Sequence, residues 1–138
     1  MYLTISKTLH TERSLESPFD LVNLAREGLT KVSLDSLIEA LEISVDEIVE
    51  LLPVSRRTLE RYEAEQKLSP ELSDRLIQIA KVYSRTLEVF EDRQLALRWL
   101  KSPCKAFGNV IPLSYLNLSS GMTIVMDELG RIDYGVYS

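Results

Sequence analysis

The sequence predicts an all-α fold. Apolar residues recur at helical spacing in several separate stretches. Those stretches open on Ser, Asp or Pro and close on Gly or Pro, the asymmetry that helix ends favour. No segment carries the strong apolar and polar alternation of a half-buried strand, and there is no internal repeat or low-complexity run. Over 138 residues, a hydrophobic share of 45% and a charged share of 27% suit one ordinary core or two small packed units rather than a disordered chain.

The elements follow in order. Residues 1–16 lack a helical period, and Tyr2, Leu3 and Ile5 admit only a short strand or a loosely held arm. Ser17 is a cap, Pro18 suits the first helical position and Asp20 suits the positive end of a helix that runs to about Glu27 and stops at Gly28. Ser33 opens a second helix whose Leu34, Leu37, Ile38 and Leu41 form one apolar stripe. Ser44 and Glu47 have the spacing of a capping box for a third, which carries Ile48, Leu51 and Leu52 inward and ends at Pro53. Ser55 restarts a helix over about 55–65, with Leu59 and Tyr62 inward.

Ser69, Pro70 and Glu71 begin a long helix. Leu72, Leu76, Ala80, Tyr83, Leu87 and Phe90 run down one side of it, with Asp74, Gln78, Lys81, Arg85 and Glu88 down the other. A further helix spans about Asp92 to Lys101 and carries Ala96, Trp99 and Leu100. A short helical turn lies near Pro112 to Leu116, and a last helix near Ser120 to Ile132 buries Met122, Val125, Leu129 and Ile132.

Composition excludes several kinds of chemistry. A single Cys104 and a single His10 leave neither an internal disulfide nor a ligand set for structural zinc. No glycine-rich phosphate loop appears and Cys104 has no histidine nearby in sequence, so neither enzymatic activity nor a cofactor is expected. No apolar run approaches the roughly 20 residues that span a bilayer, and the first residues lack the apolar block of a signal peptide, so a cytoplasmic protein is expected. The net charge of −5 argues against a general nucleic-acid coat, because nonspecific binding draws on neutralised phosphates. Through Lys67 there are 8 basic and 13 acidic residues, and 8 of each after it, so any DNA surface is a local patch.

One local patch fits. Helices at about 44–51 and 55–65, joined by Leu52, Pro53 and Val54, have the spacing of a helix-turn-helix. Ser55, Arg56, Arg57 and Thr58 stand where a recognition helix meets bases and phosphates, and Arg61 lies one turn on. Arginine offers paired donors to guanine edges or phosphate oxygens. Glu60, Glu63 and Glu65 follow on the same segment and would repel phosphate if they faced it, and two helices with a tight turn also occur in bundles that never touch DNA.

Five separated motifs then occur in order: LPVSRRTLER (52–61), LSPELSDRL (68–76), WLKSP (99–103), FGNVIPL (107–113) with Gly121, and LGRIDYGVY (129–137). Together they resemble the Xre/MbcA/ParS family of antitoxins, over about residues 33–138. The resemblance implies an Xre-like helix-turn-helix domain at 17–67 after the 1–16 arm, and a toxin-binding domain at 68–138. It further implies a RES-type toxin partner that consumes NAD, neutralised by occlusion of its active site. Operator DNA bound by a homodimer for autorepression is the other implied partner, with a higher toxin–antitoxin complex. The ParS branch implies an ADP-ribosylating toxin instead. The sequence departs from the pattern at Pro53, where the turn usually has Gly, and in the pair Asp133-Tyr134 before Gly-Val-Tyr, where an acidic residue is usually followed by histidine and Tyr134 stands instead.

Within that resemblance, Trp99 reads as a packing residue of the toxin-binding domain, and Pro103, Gly108, Pro112 and Gly121 as turn and helix-boundary devices. The C-terminal set Arg131, Asp133, Tyr134, Gly135, Val136 and Tyr137 is the candidate toxin contact. Two tyrosines and two branched apolar residues seldom gather at a chain end unless something buries them, either the protein's own domain or a partner.

Overall fold

The computed structural model describes residues 1–135 and is all-helical there, with no strand among the described residues. Eight α-helices run in order: α1 (Tyr2–Thr8), α2 (Pro18–Glu27), α3 (Lys31–Leu41), α4 (Val45–Val49), α5 (Arg56–Glu60), α6 (Pro70–Phe90), α7 (Arg93–Lys101) and α8 (Ser119–Asp133). Two 3-10 turns, Lys105–Phe107 and Pro112–Asn117, lie between α7 and α8. No described helix is long and apolar enough to cross a membrane.

The N-terminal segment is a helix rather than the strand or arm expected. α1 packs on α3, and Ile5 and Leu9 are 0% exposed. Seven residues are too few for a stable isolated helix, but burial of two large aliphatic side chains, about 1.5–3 kcal/mol each, holds it. Two apolar positions one turn apart are also too few to display a period, which is why the sequence did not reveal it.

The capping signals act as the sequence indicates in most places. Ser44 N–H donates to Glu47 Oε1 at 3.2 Å, and Glu47 N–H returns to Ser44 Oγ at 3.1 Å. Ser55, Ser69 and Asp92 each accept an amide hydrogen bond at the starts of α5, α6 and α7. Asp20 accepts from the amides of Glu16 and Ser17. α3 differs: it starts at Lys31 with Thr30 as its cap position, and Ser33 is buried inside the first turn.

The chain forms two compact units, Met1–Lys81 and Val82 onward, and the division falls within α6 rather than at the 67/68 border expected. Side-chain hydrogen bonds bind the first turns of α6 to the first unit. Ser73 Oγ accepts the Leu29 amide at 2.9 Å, and Arg75 Nη1 donates to the Leu51 carbonyl at 2.6 Å. The chain passes so close at this point that a Cβ on Gly28 (φ 89°) would stand 2.7 Å from the Leu68 carbonyl oxygen, whose own amide donates to Leu29 O at 2.8 Å.

In the first unit the core gathers Leu34, Leu37 and Leu41 of α3, Ile48 of α4, Leu59 of α5, and Leu72, Leu76 and Ala80 of α6. α6 also buries Ser73, Ile77 and Ile79, so it is enclosed on more than the one stripe predicted. In the second unit Ala96, Leu97, Leu100, Leu113, Leu116, Met122, Val125 and Leu129 form the core, and Trp99 sits half-buried at its edge.

Candidate functional site

In the first unit, α4 and α5 are joined by a tight turn, with Leu51, Leu52 and Leu59 buried beneath it. Arg75 caps the end of α4 from below through the Leu51 carbonyl. Lys31 Nζ donates to the Glu60 carbonyl at 3.4 Å and closes α5 in the same manner. α5 is shorter than the 55–65 expected. Beyond Glu60 the backbone bonds tighten to i→i−3, as in Arg61 N–H to Thr58 O, and the Gln66 side chain takes the Glu63 amide at 3.1 Å, which diverts that amide from a helical ladder.

The turn and helix present Ser55, Arg56, Arg57, Thr58 and Arg61 on the exposed side. They differ in availability. Arg56 is held by Asp46 of α4 and by Glu60, whose Oε1 lies 3.1 Å from Arg56 Nε, and these neighbours raise its already high pKa. Arg57 and Arg61 make no ion pair among the described residues. Ser55 Oγ is committed to the Thr58 amide and Oγ1. The side chains nearest the helix start are therefore partly engaged, and Arg57 and Arg61 are its free cations.

The second unit carries a row of half-buried rings. Phe90 and Trp99 lie 5.8 Å apart, Trp99 and Phe107 6.4 Å edge to face, and Phe107 and Tyr115 5.5 Å. The loop that places Phe107 is closed by Cys104 N–H to Val110 O at 3.0 Å, with Gly108 and Asn109 both in the left-handed region. Gly121 proves to be a packing device rather than a turn. It is buried in the first turn of α8, and a Cβ there would stand 2.0 Å from the Tyr115 carbonyl oxygen. That contact lets α8 lie directly on the Pro112–Asn117 turn.

Beside this row, a cavity of about 230 Å³ is lined by Ala106, Phe107, Ile124, Asp127, Glu128 and Arg131. Glu128 is only 9% exposed. Arg131 sits at its rim, 62% exposed, with Nε 2.7 Å from Glu128 Oε1 and Nη2 on the same oxygen. Nothing in the sequence distinguished Glu128, whose place inside the last helix reads as a solvated position until α8 is docked.

Of the C-terminal candidates, Arg131 is thus paired with Glu128, and Asp133 accepts from Arg85 Nη2 at 2.9 Å. Tyr134, 80% exposed, and Gly135 (φ 67°) follow directly at the end of α8. Val136 and Tyr137 lie outside the described residues.

These two surfaces correspond to two family matches. Residues 20–81 match the antitoxin Xre-like helix-turn-helix domain, and residues 86–135 match the antitoxin Xre/MbcA/ParS C-terminal toxin-binding domain. An Antitoxin Xre of Pseudomonas putida is 30% identical over 122 residues, covering 88% of this chain and 76% of the relative. An Antitoxin Xre of Yersinia enterocolitica is 28% identical, covering 86% and 81%. A Prs ADP-ribosylating antitoxin of Sphingobium is 25% identical, covering 88% and 83%. With an α4–α5 helix-turn-helix in its first unit and an aromatic-edged helical domain in its second, the chain belongs to the Xre/MbcA/ParS family of antitoxins.

Proposed function

We propose that this antitoxin neutralises a RES-type, NAD-consuming toxin by covering its active site with the C-terminal end of α8 and the residues that follow. The observation that carries this reading is the placement of Tyr134. It is a large amphipathic side chain left almost fully in solvent at the end of a toxin-binding domain, and tyrosine is the kind of side chain that anchors in partner pockets. Gly135, Val136 and Tyr137 complete the contact in this reading, while Arg131 and Asp133, expected to join it, are held by Glu128 and Arg85 of their own domain and position the end of α8. Coexpression with the product of the adjacent gene tests it, scored by growth, cellular NAD and copurification. Rescue with a stable complex is the expected result. Deleting residues 134–138 should release the toxin, and retained neutralisation by the truncated chain would remove the tail from the mechanism.

The same antitoxin represses its own operon as a homodimer, with Ser55, Arg56, Arg57, Thr58 and Arg61 at the operator on two half-sites, which places it in the cytoplasm. Supporting this are the common exposure of these five residues and the absence, among the described residues, of an ion pair on Arg57 and Arg61. A gel shift with the upstream DNA is the test, and replacement of Arg56 and Arg57 by Ala should weaken the shift without loss of toxin neutralisation.

Two alternatives have specific support. The Sphingobium relative is named an ADP-ribosylating antitoxin, and a partner that modifies proteins with ADP-ribose would leave that mark on cellular proteins in the coexpression strain. A bundle that binds toxin but no DNA is favoured by Glu60, Glu63 and Glu65 and by the double engagement of Arg56. An absent gel shift at low salt would decide for it.

A further inference from the structure

We infer that the cavity between the Lys105–Phe107 turn and α8 is the seat for one arginine side chain of the protein partner, with Glu128 as its acceptor and Arg131 as an internal stand-in. This rests on the reading that the second unit binds a toxin.

Glu128 carries the inference. An ionised carboxylate accepts through two oxygens, and Arg131 engages one of them. Both contacts of Arg131 fall on Oε1, and since no enclosed side-chain oxygen among the described residues lacks a partner, Oε2 is open to solvent and to a further donor. The residue is nevertheless only 9% exposed and lines the cavity. A largely buried carboxylate lining a cavity, with an oxygen that Arg131 does not use, is the arrangement that a forked, two-donor guanidinium completes.

The remaining walls agree. Phe107 and Ile124 supply an apolar surface for the methylene stem, and an aromatic side chain suits a guanidinium better than a more strongly hydrated ammonium. Asp127, exposed and without an ion pair among the described residues, is a second carboxylate of the lining, so its two acids and one arginine leave a charge of −1. At about 230 Å³, the space falls below the roughly 300–1,000 Å³ of small-molecule pockets and suits a single side chain. Arg131 is 62% exposed, so its guanidinium can turn out to solvent as an incoming arginine takes its place on Glu128, one charged donor being exchanged for another.

The test uses the full chain, labelled with nitrogen-15, and titrated with N-acetyl-argininamide, N-acetyl-lysinamide and the neutral isostere N-acetyl-citrullinamide. Saturable shifts confined to Phe107, Ile124, Asp127 and Glu128 are expected with the arginine probe, weaker shifts with lysine and none with citrulline. Equal response to citrulline, or no localised response to arginine, overturns the seat without recourse to a variant. Glu128→Gln should weaken the arginine response at least tenfold with the helical spectrum retained.

Against the adjacent-gene toxin, Glu128→Gln should bind at least tenfold more weakly, while Arg131→Ala should bind as tightly as the unaltered chain or more tightly. A tenfold loss in Arg131→Ala would make Arg131 a direct contact and overturn its role as a stand-in. If the unaltered chain responds to arginine but fails to bind that toxin, the seat stands and the toxin reading falls.

Discussion

Arg85 Nη2 lies 2.9 Å from Asp133 Oδ2, a bond between α6 and the last turn of α8 that spans 48 residues of sequence. Arg85 is only 18% exposed and holds Glu88 as well, at 3.4 Å, so one nearly enclosed guanidinium fixes the end from which Tyr134 projects. Asp133 is accordingly oriented toward its own domain. A double-mutant cycle of Arg85→Ala and Asp133→Ala should give a coupling of about 1 kcal/mol in urea unfolding, the upper end for pairs with solvent access. Each single change should weaken toxin binding by a similar factor and the double change little further. Additive losses of affinity would return Asp133 to the toxin interface as an independent contact.

Arg56 and Arg57 are adjacent but unequal. Arg56 must give up Asp46 and Glu60 to reach a phosphate, and Arg57 has no ion pair among the described residues to give up. Arg57→Ala should therefore cost more operator affinity than Arg56→Ala, about 1–3 kcal/mol if it reads a base. If its contact is a phosphate, the salt slope should fall by about 1. Equal losses in a salt-dependent gel shift would contradict this ranking.

Gly121 and Gly130 lie on the same helix and should respond oppositely to alanine. At Gly121 the added methyl meets the Tyr115 carbonyl oxygen at 2.0 Å, which forces backbone apart, and a loss at or above about 3 kcal/mol is expected. At Gly130 nothing lies within 4 Å, so alanine should stabilise the helix by about 0.5–1 kcal/mol. Thermal or urea unfolding of the two variants checks both signs.

The Arg13–Glu27 pair predicts an acid-sensitive contact. Its hydrogen bond, with the nearby charges of Arg13 and Lys67 adding to it, holds the Glu27 carboxyl below its usual value. The folded value being lower than the unfolded one, the pair's contribution is full above the ordinary carboxylate range and is lost as pH falls through the depressed value. Glu27→Gln should therefore lower stability slightly near neutral pH and flatten the fall of unfolding midpoint with pH in the acid range. An unchanged acid limb would exclude the pair as a contributor.

Local chemistry alone determined the helical class, the caps at Ser44, Ser55, Ser69 and Asp92, and the inward stripes of α3 and α6, because caps and periodicity act over a few residues. The same is true of the exposure of Ser55, Arg56, Arg57, Thr58 and Arg61, since Leu59 sets which face of α5 is buried. Only tertiary structure decided the rest. α1 exists because a surface elsewhere in the chain buries Ile5 and Leu9, and the boundary within α6 arises because Ser73 and Arg75 bind partners more than twenty residues away. Gly121 is required by a carbonyl from another element. Arg131 and Asp133 stood in the sequence among the candidate toxin contacts, but their partners Glu128 and Arg85 appear only once α8 is docked, because burial and long-range pairing have no sequence period.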